Sequence, residues 1–150
     1  MFLDASAIVA ILNQEPQGAA LEDHIDRSSD AIYYSPMVRF EAAVSLARAR
    51  VNAAKKAAGP RAEFLAGASA IVDLFFVEIG ASEVTITSEI GARAIEASVK
   101  FGKAVGHPAN LNFGDCFVYA CASAYGEPLL FVGDDFSRTD LKCERVEGLR

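Results

Sequence analysis

The fold is decided by the stretch MFLDASAIVAIL, residues 1–12, in which a short strand pattern runs directly into a helical one. Phe2–Asp4 is apolar up to its last residue and predicts a buried strand, and Ala5–Leu12 predicts the helix that follows it. An acidic residue, Asp4, therefore stands at the carboxyl end of the first strand. A strand joined to a helix without a linker is typical of α/β proteins.

The same alternation of short strands and long helices continues along the chain. Further strands are predicted at Ile32–Tyr34, Val84–Thr87 and Leu129–Val132, with a weak one near Arg145–Glu147. Helices are predicted from Pro16 to about Arg27, from Pro36 to about Ala57, from Pro60 to about Phe76, from Ser88 to near Gly102, and over Phe113–Tyr125. This order predicts right-handed crossovers and an α/β sandwich with a mostly parallel sheet. Ligands of such sheets bind beyond the carboxyl ends of the strands.

Composition is that of one globular domain spanning residues 1–150. Apolar residues make up 52% and charged residues 23% of the 150 positions. No apolar run approaches the roughly 20 residues of a membrane helix, and no basic segment precedes the first apolar stretch, so we expect neither a membrane span nor a secretory signal. The three cysteines, Cys116, Cys121 and Cys143, are too few for a disulfide framework, which favours the reducing cytoplasm.

The net charge of −6 argues against strong non-specific binding to nucleic acid, because such binding comes from Lys and Arg. The charges are unevenly distributed, however. Residues 42–62 contain no acid, and their basic residues are Arg48, Arg50, Lys55, Lys56 and Arg61. This basic stretch is either a nucleic-acid-facing surface or the solvated face of a helix.

Acidic residues recur at the predicted carboxyl edge of the sheet. Asp4 ends the first strand, and Asp134 and Asp135 follow Leu129–Val132 after one glycine. Glu41 and Asp115 lie near the starts of two helices. Carboxylates gathered without a basic partner repel one another and resist ionisation. Mg²⁺ or Mn²⁺ relieves that repulsion, because these cations prefer carboxylate and water oxygens.

Each acid also has an ordinary structural interpretation. Asp4 is equally suited to cap the first helix, and Asp115 is favoured by the dipole of the helix that it opens. Asp134 and Asp135 after glycine are common turn residues, and Glu41 fits a solvated helix face. Only their shared location favours a metal site.

Three segments carry a resemblance to a known family. Leu3-Asp4-Ala5-Ser6-Ala7 is similar to the opening of PIN-domain proteins. The stretch HPANLNFGDC, residues 107–116, and the stretch PLLFVGDDFSRTD, residues 128–140, resemble the VapC ribonuclease toxins of that family. The resemblance covers the whole chain in length and order.

The resemblance implies a PIN-like three-layer α/β/α sandwich acting as a Mg²⁺-dependent endoribonuclease, with Mn²⁺ as a substitute. It also implies a homodimer held inactive by a VapB-type antitoxin. The acidic core would be Asp4, Glu41 and Asp115, with Asp134 as the fourth acid and Asp135 as the alternative. Asp4 and Asp115 would ligate a metal directly, and Glu41 and the fourth acid would hold waters or a second ion. Ser6 and Arg138 are candidates for binding the RNA substrate.

Two other functions stay open at this point. One is a different acidic phosphoryl hydrolase, either a phosphatase or a DNA nuclease. The other is a catalytically silent module that keeps the PIN fold for interaction. The apolar run Phe75, Phe76, Val77 and Ile79 is interpreted as core, with a dimer surface or an antitoxin groove as the alternative.

Overall fold

A computed structural model describes residues 1–54, 60–144 and 146 of the chain. The strands are β1 (Phe2–Leu3), β2 (Tyr33–Tyr34), β3 (Ser82–Glu83) and β4 (Leu129–Leu130). The helices are α1 (Ala5–Leu12), α2 (Gly18–Arg27), α3 (Pro36–Ala54), α4 (Arg61–Glu78), α5 (Ser88–Phe101) and α6 (Phe113–Tyr125). Single 3₁₀ turns follow at Lys103–Val105 and Phe136–Arg138. The order confirms the predicted alternation.

The four strands form one parallel sheet in the order β3-β2-β1-β4. Leu3 of β1 is in register with Leu130 of β4, and the Asp4 backbone N–H donates to the Leu130 carbonyl at 3.0 Å. The carboxyl ends of the first and last of these strands therefore lie side by side. This adjacency brings Asp4 next to the segment that follows β4.

Helices cover the sheet and complete a three-layer α/β/α sandwich. The side chains of β1 and β4 are at most 1% exposed, as expected for parallel strands covered by helices. Helix α3 packs on α4 and α1, and α5 packs on α6. Helices α1 and α6 have the predicted boundaries because both carry strong caps. Asp4 caps α1, and Asn112 forms a capping box at the start of α6.

The prediction of a strand at Val84–Thr87 is wrong. Pairing of this segment with β2 begins shortly after α4 ends, where the Ser82 N–H donates to the Ile32 carbonyl at 2.8 Å. The Val84 N–H makes the final bond of this ladder, to the Tyr34 carbonyl at 2.8 Å. The short partner strand β2 offers nothing further to pair with, and Thr87 instead caps α5 through a bond from the Ile90 N–H at 3.3 Å.

Some predicted features lie outside the described residues. These are the end of the helix predicted to Ala57, the basic residues Lys55 and Lys56, and, apart from Val146, the weak strand near Arg145–Glu147. Just before that last segment, Cys143 forms an isolated parallel bridge with Leu129 at the outer edge of β4.

The apolar end of α4 is divided between core and surface. Phe75 and Phe76 are 6% and 3% exposed and belong to the core, as expected, whereas Val77 is 76% exposed. In the described parts of the chain, no helix is both long and apolar enough to cross a bilayer.

Candidate active site

A cavity of about 360 Å³ opens at the carboxyl edge of the sheet. Its lining is acidic and includes Glu15 together with four of the acids singled out in the sequence, Asp4, Glu41, Asp115 and Asp135. The other lining residues are Ala5, Ser6, Val9, Ser45, Asn112, Phe131, Val132 and Phe136. The predicted acids Asp4, Glu41 and Asp115 thus line one cavity, together with Asp135, the alternative candidate for the fourth acid.

Asp4 is held rigidly at the end of β1. It is 8% exposed, and its Oδ2 accepts hydrogen bonds from the Ser6 backbone N–H at 2.9 Å and from the Ser6 hydroxyl. Ser6 Oγ in turn accepts from the Val132 N–H at 2.9 Å, so it ties Asp4 to the segment after β4. Asp4 is therefore both the cap of α1 and a wall of the cavity, and its two sequence interpretations are compatible.

Asp115 is fixed by the capping box of α6. Its Oδ2 accepts from the Asn112 N–H at 2.7 Å, and its own N–H donates to Asn112 Oδ1 at 3.1 Å. These reciprocal bonds hold the backbone and the carboxylate of Asp115 together. The side chain lines the cavity from α6, the helix that also carries Gly114.

Glu41 reaches the cavity from the second turn of α3 and is half-buried. Helix α3 begins directly after β2, where the Ser35 hydroxyl accepts a hydrogen bond from the Val38 N–H at 3.3 Å. This start places Glu41 above the carboxyl edge of the sheet, beside α6. The Glu41 carboxylate lies next to Gly114, the residue that precedes Asp115.

The electrostatics of the cavity oppose ionisation of its acids. Burial is the largest cause that raises the pKa of Asp4, Glu41 and Asp115, and for Asp4 the hydrogen bonds from Ser6 partly offset it. Mutual repulsion adds to the effect, because Asp4 raises the pKa of both other acids and Asp135 raises those of Asp4 and Asp115. Among the described residues that line the cavity, none is Lys or Arg.

This cavity suits a divalent cation by its chemistry, because neighbouring carboxylates that lack a basic partner in the lining provide hard oxygen ligands. In the described part of the chain, no three His, Cys, Asp or Glu side chains are already arranged to hold a metal. The carboxylates surround the cavity without converging on one point. A cation would draw them together and remove the cost of their repulsion.

The structure places the second residue of the Asp134-Asp135 pair in the cavity. Asp135 lines the cavity and interacts with Asp4 and Asp115, whereas Asp134 is not among the lining residues. Asp134 starts a turn, and its backbone carbonyl accepts hydrogen bonds from the Ser137 N–H and hydroxyl at 3.2 and 2.5 Å. Pairing of β4 stops at Leu130 and Gly133 adopts a φ of +113°, so distance from the strand end does not by itself decide which of the two carboxylates enters the cavity.

The two predicted substrate-binding residues lie in different places. Ser6 lines the cavity, whereas Arg138 lies outside its lining and donates from Nη1 to the Pro108 carbonyl at 3.3 Å. Of the basic stretch, Arg48 and Arg61 are exposed on α3 and α4.

Sequence reasoning missed three polar residues of the lining, Glu15, Ser45 and Asn112. Glu15 follows α1, and its N–H donates to the Ala10 carbonyl at 2.9 Å, which folds the chain back along that helix. No local motif marks this return. Asn112 was detectable, because an asparagine three residues before an acid is the signature of a capping box.

We expect the stability of the metal-free protein to depend on pH through Asp4. Burial raises the pKa of Asp4, so the folded state keeps this proton to a higher pH than the unfolded chain does. Stability is therefore lost as the pH rises from about 4, the ordinary aspartate value, through the raised pKa. The substitution Asp4→Asn removes this loss. Urea unfolding in EDTA should show a variant that is increasingly more stable than wild type as the pH rises, and a pH-independent difference would contradict the prediction.

The parallel sheet, the flanking helices and the acidic cavity define an α/β/α domain with a carboxylate-lined site at the carboxyl edge. A family model for the PIN domain matches residues 1–142. The chain is 47% identical over 140 residues to a VapC ribonuclease of Rhizobium meliloti (strain 1021), with 93% of this chain and 98% of the relative covered. The chain therefore belongs to the PIN-domain family and, within it, to the VapC proteins.

Further relatives agree with this assignment. The chain is 32% identical over 142 residues to ribonuclease VapC42 of Mycobacterium tuberculosis, with 95% of this chain and 97% of the relative covered. The crystal structure of Mycobacterium tuberculosis VapC20, a sarcin–ricin loop cleaving toxin, matches with a TM-score of 0.70 at 16% identity and covers 96% and 98% of the two chains. VapBC-1 from nontypeable Haemophilus influenzae matches with a TM-score of 0.63 at 14% identity, covering 95% of each chain. The two solved structures support the fold.

Proposed function

We propose that this chain is the toxin of a type II toxin–antitoxin pair and a divalent-metal-dependent endoribonuclease. The observation that carries the proposal is the cavity whose walls bring together Asp4, Glu41, Asp115 and Asp135 without a basic residue in the described lining. The similarity to VapC ribonucleases over 93% of the chain supports RNA as the substrate class.

Asp4 and Asp115 are the proposed direct ligands of Mg²⁺, for which Mn²⁺ can substitute. Both are held by bonds that leave little freedom, Asp4 by Ser6 and Asp115 by Asn112. Glu41 and Asp135 would hold waters of the metal or a second ion. When bound, the metal activates a water molecule and offsets the charge that develops on the phosphate oxygens.

The residues of the chain itself prepare this chemistry. Ser6 orients the Asp4 carboxylate and anchors it to Val132, so the carboxyl ends of β1 and β4 keep a fixed spacing. Burial of the acids lowers the local dielectric and strengthens every charge interaction in the cavity. We propose that Arg138 and the exposed Arg48 and Arg61 contact RNA phosphates away from the acidic centre.

A VapB-type antitoxin is the proposed partner, and the structural match to VapBC-1 supports it. Apolar side chains on α3 and α4 are exposed, with Phe40 at 70%, Leu74 at 56% and Val77 at 76%. Such a surface suits an amphipathic partner segment. A homodimer is proposed as well, and exposed Ile95 and Phe113 on α5 and α6 offer it a second apolar face.

The cytoplasm is the proposed compartment. Cys116, Cys121 and Cys143 are free thiols in the structure. Free thiols of this kind are kept in a reducing compartment, which is also where the proposed RNA substrate is found.

The purified protein is expected to cut total cellular RNA into discrete fragments when Mg²⁺ or Mn²⁺ is present and to stop cutting in EDTA. Gel analysis with mapping of the new ends measures this and identifies the target. A single-stranded DNA and a small phosphate monoester, tested in parallel, separate the ribonuclease from a DNA nuclease or a phosphatase. A protein that binds no Mn²⁺ in calorimetry and leaves RNA intact would instead be a silent interaction module.

A further inference from the structure

Gly114 lies against the carboxylate of Glu41. It occupies the first turn of α6, between the cap residue Asn112 and Asp115. A Cβ atom added at Gly114 would lie 2.9 Å from Glu41 Oε2 and 3.3 Å from Asn112 Oδ1. Close-packed atoms do not tolerate the first of these separations without a shift of one partner. The Glu41 carboxylate thus uses the space that a side chain at Gly114 would fill.

The usual backbone reason for a glycine does not apply at this position. The described glycines with positive φ are Gly80, Gly106, Gly126 and Gly133, and Gly114 is not one of them. Within a helix, glycine is less favourable than alanine because it loses more backbone entropy on folding. A glycine in a helical turn with ordinary dihedral angles therefore lowers helix stability. Its benefit at position 114 must come from the space that it leaves for the neighbouring Glu41 carboxylate.

We propose that Gly114 is a positioning residue of the acidic cavity. Its bare Cα lets the Glu41 carboxylate from α3 come up to α6, so that Glu41 and Asp115 can serve the same cation. This inference rests on the proposed metal-dependent function and assigns the glycine a part in it. The glycine acts through Glu41 and does not itself touch metal or RNA.

The geometry also decides which atom gives way when a methyl group is added. Asn112 Oδ1 is held in the capping box, where it accepts from the Asp115 N–H at 3.1 Å. Glu41 Oε2 ends a flexible side chain and is free to rotate away. A methyl group at Gly114 therefore displaces the Glu41 carboxylate from α6, and the fold is retained.

The variant Gly114→Ala is expected to lose about ten- to hundredfold in Mn²⁺ affinity, the range found when groups that orient metal ligands are removed. Titration calorimetry of the full chain with MnCl₂ measures this. The melting temperature of the metal-free variant is expected to equal or exceed that of wild type, since alanine is the better helix residue. Gly91→Ala is the matched control, because Gly91 lies in the first turns of α5 and an added Cβ there meets nothing within 4 Å.

A double-mutant cycle identifies Glu41 as the intermediary. In the Glu41→Ala background the added methyl group has no carboxylate to displace, so Gly114→Ala is expected to leave the remaining Mn²⁺ affinity unchanged. An equal loss in both backgrounds would overturn the proposal, because the effect would then run through the helix or its cap. Unchanged Mn²⁺ affinity in the single variant would overturn it as well.

These outcomes differ from a failure of the proposed function. Wild type that binds no Mn²⁺ would contradict the metal-dependent ribonuclease and this inference together. Wild type and Gly114→Ala that bind Mn²⁺ equally and cut RNA equally would leave the ribonuclease intact and remove only the role of Gly114.

Discussion

Replacing Asp4 with asparagine is expected to lower RNA cleavage by about a hundredfold or more while raising the melting temperature of the metal-free protein. Asp4 is buried at the end of β1, where burial and the charge of Asp135 raise its pKa. Ionisation of Asp4 in the metal-free protein therefore destabilises the fold. The same carboxylate is a proposed direct ligand of the cation. Its replacement therefore lowers RNA cleavage and at the same time raises the stability of the metal-free fold.

The substitution leaves the local structure in place, which makes the comparison informative. An asparagine Oδ1 can accept the hydrogen bond from the Ser6 N–H, and asparagine is a favourable N-cap. Asp26→Asn, a change at an exposed position on α2, serves as the control for removing one negative charge. Cleavage gels and thermal unfolding in EDTA are compared for wild type and both variants. An Asp4→Asn protein that still cuts RNA at the wild-type rate would exclude Asp4 from the metal site.

The parts of the site that the sequence predicts are those with a local signal. Asp4 is marked by its position between an apolar strand and a helix, and Asp115 by its place at the start of a helix. A cap fixes where a helix begins, and the start of a helix fixes where its first side chains point. Parallel pairing of β1 and β4 then brings both acids to one edge.

The parts that sequence reasoning could not predict depend on tertiary contacts or on single-residue offsets. Glu41 on α3 approaches Gly114 on α6, a residue 73 positions later in the chain, and no local sequence pattern encodes this contact. Glu15 reaches the cavity only because the chain folds back along α1. The shift of β3 to Ser82–Glu83 has the same origin, because its position is set by the available partner strand and not by the β propensity of Val84–Thr87.

The second large effect on RNA cleavage is expected from substituting the fourth acid, for which Asp134 and Asp135 are the two candidates. Asp135→Asn is expected to lower RNA cleavage about ten- to hundredfold, because this carboxylate lines the cavity with Asp4 and Asp115. Asp134→Asn is expected to retain nearly full activity. The hydrogen bonds that Asp134 accepts from Ser137 go to its backbone carbonyl, which the substitution leaves unchanged.

The two neighbouring substitutions control for each other, since both remove one charge from the same exposed turn. Asp135 also makes no side-chain capping bond to the 3₁₀ turn that follows it, so its loss should not disturb folding. If Asp135 acts through the metal, the Mn²⁺ concentration for half-maximal cleavage rises in Asp135→Asn, and added Mn²⁺ restores part of the rate. Loss of activity in Asp134→Asn but not in Asp135→Asn would identify Asp134 as the fourth acid, as the count from the strand end favoured. It would also mean that the turn at Gly133 rearranges when metal and RNA bind.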